Sequence, residues 1–370
     1  MKAVILVGGL GTRLRPLTCN TPKPMIPLLN QPFIEHMLLR LREQGITEVI
    51  LAVQYLADRF QAALGDGSRL GLKVHIVEEP APRGTAGAVK HVEHLLDGTT
   101  FVFNGDVLTD LDLQAMLAFH QEKGSKLTIS LTPVEDPTQF GLVEMDATQH
   151  IKRFLEKPRP EDITTNLINA GTYILEPEVF RYVPPNEFYM FERGLFPVLM
   201  QTGDPVFGYP SRAYWNDIGK PHNYLEAHHD ILIGKVQYNF RGEEIASRVW
   251  LENGADIHPS AHIVGPVMLG PNVQIARGVG IVGPTVIGAN CRIEADVSIE
   301  ASVLWEDNAI GERSSLRSCV LGRGNRIGSH TIITDGAIIS DNCTLGDENR
   351  LERGIKLWPG TTLKDQAISF

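Results

Sequence analysis

Cysteine is scarce: four in 370 residues, at Cys19, Cys291, Cys319 and Cys343, with neither a C-x-x-C pair nor the spacing of a zinc site. That excludes a disulfide-stapled secreted scaffold and cysteine metal ligation, so the four are expected to be reduced structural residues. Long apolar runs are missing as well. Although 43% of residues are hydrophobic, no stretch is long enough to span a bilayer. The opening run Lys2-Ala3-Val4-Ile5-Leu6-Val7 lacks the charged, apolar and small-residue order of a secretory signal and reads as the first strand of a cytoplasmic protein. Positive charge is in deficit, with a formal net charge of −10. Nucleic acid demands a broad basic face, so it is not the expected partner. A small anion needs only a local cluster, and Arg13, Arg15 and Lys23 supply one.

What is present divides at two periods. The length suits two domains. Up to about residue 233, short apolar runs near 3–7, 48–53, 73–78 and 100–104 alternate with helical patterns, which predicts a βαβ succession around a mainly parallel sheet. Phe33, Ile34, Met37, Leu38 and Leu41 recur at helical spacing, and Gly45 stands where that helix would stop. Asp106 follows the apolar run Phe101-Val102-Phe103, just past the carboxyl end of a strand, where open α/β sheets bind ligands.

From about residue 251 aliphatic residues recur every six positions, from Leu251 through Ile257 and Ile263 to Ile299 and Trp305. After slips near 305–310 and 316–321 the series resumes at Leu321 and continues to Leu363. No α-helix has that repeat; stacked hexapeptides of a parallel β-helix do. Glycines after the aliphatic position, such as Gly270, Gly288 and Gly311, are expected to make tight corners. Residues 222–236 read as a helix and 237–249 as a polar linker, so the expected domains are 1–236 and 250–370.

The chemistry begins after the first strand, in Gly8-Gly9-Leu10-Gly11-Thr12-Arg13-Leu14-Arg15-Pro16-Leu17-Thr18, followed by Pro22-Lys23-Pro24. Glycines let backbone N–H groups approach phosphate oxygens, while Arg13 and Lys23 can stabilise charge as pyrophosphate leaves. The run is neither a P-loop, since no Gly-Lys-Ser/Thr follows, nor the dinucleotide fingerprint. Magnesium, the usual companion of bound phosphates, prefers one or two carboxylates beside phosphate oxygens and waters.

These motifs resemble those of the nucleotide-sugar pyrophosphorylases, the sugar-1-phosphate nucleotidylyltransferases. Members carry G-G-x-G-T-R-L-x-P-L-T followed by P-K-P, and many join a Rossmann-like domain to a left-handed β-helix. The resemblance implies catalytic roles for Arg13 and Lys23, a nucleotide site along Leu6, Gly8, Gly9, Gly11, Thr12, Gly84 and Thr85, and Mg2+ on Asp106 and Asp217. It implies that Lys157 of Glu156-Lys157-Pro158 contacts the sugar phosphate, Glu156 a sugar hydroxyl, and that Gly141, Asn169 and Gly171 line the sugar. Where uridylyl- and thymidylyltransferases place a glutamine, five residues before Gly84, this chain has Glu79. An amide matches the donor and acceptor edge of uracil or thymine, whereas a carboxylate, with acceptors only, matches the adjacent N1–H and N2–H2 of guanine.

The resemblance is nearest to mannose-1-phosphate guanylyltransferases, giving GTP and mannose-1-phosphate as the expected substrates. Glucose-1-phosphate uridylyl- or thymidylyltransfer is the alternative within the class. Outside it stand a hexapeptide acyltransferase using His258, His262 or His330 as base, and a non-catalytic regulatory homologue. No long loop interrupts the repeats to cover an acyl-CoA site, and intact Arg13, Lys23, Asp106, Lys157 and Asp217 speak against lost catalysis. Hexapeptide domains often self-associate, so a homo-oligomer is expected, with no nucleic-acid or membrane partner.

Overall fold

The computed structural model describes residues 1–238 and 240–369; Asn239, in the expected linker, and Phe370, at the end of the expected second domain, lie outside the described residues. The chain separates into two compact units, one of Met1–Gly9 with Ile34–Asp217, the other of Leu10–Phe33 with Ile218–Phe370. The glycine-rich motif is therefore divided. The chain leaves the first unit after Gly9 and returns to it at Ile34.

Strand β1 (Lys2–Val7) opens the chain, and the short strands β2 (Pro27–Leu28) and β3 (Gln31–Pro32) form a hairpin in the second unit. Helix α1 (Phe33–Glu43) follows, burying Ile34, Leu38 and Leu41, and Gly45 turns the chain at φ 87°. Then come β4 (Glu48–Val53), α2 (Ala57–Leu64), β5 (Lys73–Glu78), α3 (Gly84–His91), β6 (Thr100–Asn104) and the short β7 (Val107–Thr109). β5, β4, β1 and β6 lie side by side in parallel, at the positions the apolar runs predict, because strands covered on both faces read as continuous apolar segments.

After α4 (Leu113–Glu122) the rule changes. β8 (Leu127–Pro133), β9 (Gly141–Met145), β10 (Ile151–Glu156) and β11 (Leu167–Leu175) join the sheet mainly antiparallel, with β11 against β6. Helix α5 (Phe196–Thr202), β12 (Val206–Pro210) and β13 (Trp215–Asp217) complete the unit. The sheet has nine strands, and its core joins Val4, Ile50 and Val102 to Tyr173, Phe191 and Phe196.

In the second unit, helix α6 (Pro221–Leu232) ends before the expected residue 236. The chain beyond it winds as a parallel β-helix of three stacked sheets. Ile257 pairs with Ile275 and Ile275 with Ile293, so one coil is three hexapeptides. Ile293 pairs with Ile310 and Ile310 with Ile327, coils one residue shorter. The shortening moves the first slip. It falls between Ile299 and Leu304, both in the inner apolar column, so Leu304 and not Trp305 continues the series. Side chains alternate along a strand, so Trp305 must project outward. It is nonetheless 1% exposed. The second slip lies between Leu316 and Leu321, as the sequence predicts.

The glycines that directly follow the aliphatic position serve another purpose than left-handed corners. A Cβ on Gly270 would stand 2.8 Å from the Ala289 nitrogen, and one on Gly311 2.6 Å from the Ser329 nitrogen, so close approach of the next coil excludes a side chain. The left-handed corners fall at other positions, taken by glycines such as Gly278, Gly324 and Gly354 at φ 69–70° and by Asn272, Asn290, Asp307 and Asn342 at φ 57–63°. Short polar side chains tolerate that conformation best among non-glycine residues.

Candidate active site

In the first unit the candidate residues gather at the carboxyl ends of β1, β5 and β6 and the adjoining ends of β9, β10 and β11. Leu6 is the penultimate residue of β1, and its carbonyl accepts the N–H of Gly105 at 3.0 Å. A Cβ on Gly105 would lie 2.6 Å from that same oxygen, so only glycine lets the Asn104-Gly105-Asp106 turn settle onto the strand. β7, which follows Asp106, pairs antiparallel with β13, and Asp217 is opposite Val107. Two aspartates 111 positions apart in sequence are thus within one residue of each other across a ribbon. Two carboxylates are what magnesium takes beside phosphate oxygens and water, so this donor set fits the ion.

The bulge of β11 supports the same turn. Its register shifts between Asn169 and Tyr173; there the Asn169 side chain donates to the Tyr173 hydroxyl at 2.9 Å and accepts the Gly171 N–H at 3.0 Å. Gly171, at φ 76°, sits where a Cβ would meet the Asn104 amide at 2.7 Å. The Trp215 indole donates to the Ala170 carbonyl at 3.0 Å, and its ring meets Phe140 edge-on at 5.4 Å. Asn169 and the two aspartate-bearing turns are therefore one connected surface.

Beside it, Glu156 of β10 pairs with Gly141 of β9, and a Cβ on Gly141 would lie 3.2 Å from the Glu156 carboxylate. Lys157 follows in a left-handed conformation, its N–H bonded to the Phe140 carbonyl and its side chain exposed. Gly141, Glu156, Lys157 and Asn169 are thus brought to one edge. Glu192, which no sequence motif marks, joins them: burial and the nearby Glu156 charge raise its carboxyl pKa, and it accepts from the Thr85 hydroxyl at 3.3 Å. Asn104, Tyr173 and Trp215 are the other supports that sequence reading misses. Asn104 and Trp215 carry a signal, by adjoining Gly105-Asp106 and Asn216-Asp217, and Tyr173 carries none.

Glu79 lies just past β5, 6% exposed. One oxygen accepts the Arg83 N–H at 3.0 Å, and the other would be 3.7 Å from a Cβ on Gly8. The base candidate thus borders the phosphate-loop candidate, and burial raises its carboxyl pKa. Gly84 opens α3 at φ 71°, with the Tyr189 carbonyl 2.7 Å from where a Cβ would stand. The Thr85 hydroxyl accepts the Phe191 N–H at 2.8 Å, a structural task, leaving its backbone for any nucleotide contact. Gly9 is exposed and has open space where a Cβ would be.

The second unit holds Gly11, Thr12, Arg13 and Lys23. Gly11, at φ 61°, starts a 3-10 turn of Thr12–Leu14, and its carbonyl accepts the Thr18 hydroxyl at 2.8 Å. A Cβ there would crowd Thr18 and the Lys23 stem at 3.1 Å. Thr12 and Arg13 are exposed, whereas Lys23 is 6% exposed at the head of a second 3-10 turn, Lys23–Met25. His258, His262 and His330 are exposed on the β-helix, and His258 pairs with its near neighbour Ser260 at 2.9 Å.

A parallel sheet with a glycine-rich turn after β1 and two carboxylates beyond its strand ends is the architecture of a nucleotide-transferring enzyme. Residues 2–233 match the nucleotidyl transferase family, and the chain belongs to that family. Residues 246–351 match the EIF2B subunit epsilon LbH domain, a left-handed β-helix. Among relatives, a mannose-1-phosphate guanylyltransferase of Mycobacterium tuberculosis is 39% identical over 75% of this chain and 77% of its own. A mannose-1-phosphate guanyltransferase beta-B of Xenopus laevis is 34% identical over 94% of this chain and 93% of its own. The crystal structure of HddC from Yersinia pseudotuberculosis complexed with GMP-PN is 31% identical, with a TM-score of 0.54, covering 61% of this chain and 97% of that one. No helix among the described residues is long and apolar enough to cross a membrane.

Proposed function

We propose that this protein transfers GMP from GTP to mannose-1-phosphate, giving GDP-mannose and pyrophosphate. The observation that carries the reading is Glu79, a carboxylate beside Gly8 where a pyrimidine-specific relative would hold an amide. It is supported by the mannose-1-phosphate guanylyltransferases that resemble the chain over most of its length, and by HddC, whose structure holds a guanine nucleotide.

In this mechanism a sugar-phosphate oxygen attacks the α-phosphorus in line, a new P–O bond forms, and the bond to the β-phosphate breaks with release of pyrophosphate. The nucleophile is already ionised, so no general base is required, and the protein supplies position and charge. Leu6, Gly8, Gly9, Gly11, Thr12, Gly84 and Thr85 line the nucleotide, Arg13 and Lys23 balance charge on the phosphates, and Glu79 accepts from guanine N1–H and N2–H2. Lys157 holds the sugar phosphate, with Glu156, Gly141 and Asn169 around the sugar. Magnesium, held by Asp106 and Asp217, would neutralise charge on the triphosphate. Residues 1–236 form the transferase domain and 250–370 the β-helix domain of a cytoplasmic homo-oligomer.

A uridylyltransferase reading has one observation in its favour, a UTP–glucose-1-phosphate uridylyltransferase of Synechocystis 35% identical over 75% of this chain. Pyrophosphate release measured for four nucleoside triphosphates against mannose-, glucose- and N-acetylglucosamine-1-phosphate decides between them. GTP with mannose-1-phosphate is the expected best pair; preference for UTP or dTTP refutes the assignment.

A further inference from the structure

We infer that helix α6 and the middle coils of the β-helix are the mount of the phosphate-gripping loop, and that Trp305, Tyr224 and Ser340 are positioning residues for catalysis. The inference rests on the roles proposed above for Arg13 and Lys23.

Residues 10–33 contain only two 3-10 turns and a hairpin of two-residue strands. Such a segment has little internal ladder to order it, yet Leu14, Leu17, Ile26, Leu28 and Leu29 are fully buried. Turns satisfy part of its backbone internally, the Pro16 carbonyl accepting the Cys19 N–H at 3.2 Å, and further donors come from outside the segment. The buried Ser340 hydroxyl donates to the Pro16 carbonyl at 2.8 Å. Tyr224, on α6 and fully buried, donates its hydroxyl to the Pro27 carbonyl and accepts the Trp305 indole N–H at 2.9 Å. Burial raises the Tyr224 pKa far above the phenolic range, so it remains a donor. Asn30 adds a bond from its side chain to the Ile287 carbonyl at 3.1 Å.

Arg13 precedes the first anchor by three positions, and Lys23 lies between the Pro16 and Pro27 anchors. Lys23 is therefore carried by a backbone clamped on either side, and Arg13 by one clamped three positions further along. The Trp305–Tyr224–Pro27 relay is a chain of polarised hydrogen bonds in a dry setting, where each bond strengthens the next. It also accounts for the one-residue shortening of the coil: with Leu304 taking the inward place, Trp305 is turned out toward α6. A small displacement of charged groups is costly in phosphoryl transfer, which depends on position.

The test compares wild type with a Trp305→Phe/Ser340→Ala double variant, which keeps the apolar bulk and deletes two donors. A Leu351→Ala variant serves as control, opening a cavity in the β-helix core away from the loop. Amide hydrogen exchange of residues 10–25 is expected to accelerate at least about tenfold in the double variant, and kcat to fall about tenfold with KM for the sugar phosphate unchanged. The control should lower Tm but leave loop exchange and kcat as in wild type. Unchanged exchange and kcat in the folded double variant overturn the inference, as does an equal kcat loss in the folded control. If the double variant does not fold, Ser340→Ala alone is read in the same way. Should wild type transfer no nucleotide at all, the proposed function fails while the exchange comparison still decides the mount.

Discussion

Replacing Glu79 by glutamine changes one acceptor oxygen into an NH2 group at nearly constant volume. Guanine offers two adjacent donors, so the amide can accept only one and sets its own N–H against the other. The site is 6% exposed, which lets the charge-assisted bond count nearly in full, about 1.5–3 kcal/mol, or roughly ten- to a hundredfold in kcat/KM for GTP. The amide should at the same time improve UTP and dTTP. pH gives an independent arm. Burial raises the Glu79 pKa, so GTP utilisation should fall as pH drops into the window just above the ordinary carboxylate value, and Glu79→Gln should lack that limb. Stability has the opposite sign. A carboxyl whose folded pKa is raised contributes stability that is present below its unfolded value and lost as pH rises through the folded one. Glu79→Gln should therefore be at least as stable as wild type at pH 7, by urea unfolding. The assay is pyrophosphate release with competing nucleotides from pH 5 to 8. A variant that keeps full GTP preference removes Glu79 from base recognition.

Asp106→Ala is expected to reduce turnover at least a thousandfold, on the order of 4 kcal/mol, with an unchanged circular dichroism spectrum, and near-normal activity would take Asp106 out of the site. Chelation of divalent metal should abolish turnover and added Mg2+ restore it, read by the same pyrophosphate assay; full activity in excess chelator would exclude the ion. Gly105→Ala forces a Cβ to within 2.6 Å of the Leu6 carbonyl and should cost about 1–3 kcal/mol in urea unfolding. Cys291 and Cys319 are buried, their pKa pushed up to about 12, so thiol reagents at pH 8 should leave both unmodified until the protein is unfolded.

Legibility in the sequence followed the range of the forces involved. The parallel strands β1, β4, β5 and β6 were readable because strands buried on both faces need continuous apolar runs, and α1 because one stripe must face the core. The antiparallel strands after α4 left a weaker signal, and the bulge at Asn169 none. Candidate site residues were visible where a compact motif carried them, as in Gly8–Lys23 and Glu156-Lys157-Pro158. Their supports were not: Asn104 meets Gly171, Trp215 meets Ala170, and Glu192 meets Thr85 only after folding.

The sequence by itself determined the β-helix, because burying one aliphatic column in every coil imposes a six-residue period that survives in the order of residues. It also determined the family, through motifs whose backbone demands few residue types meet. Only the tertiary structure decided which of Leu304 and Trp305 turns inward, and that the glycines directly after the aliphatic position, such as Gly270 and Gly311, answer to the neighbouring coil and not to their own φ. It alone grouped residues 10–33 with the β-helix. Each of these depends on partners far away in sequence: Trp305 finds Tyr224, and Pro16 finds Ser340 across 324 positions, distances at which local pattern carries no information.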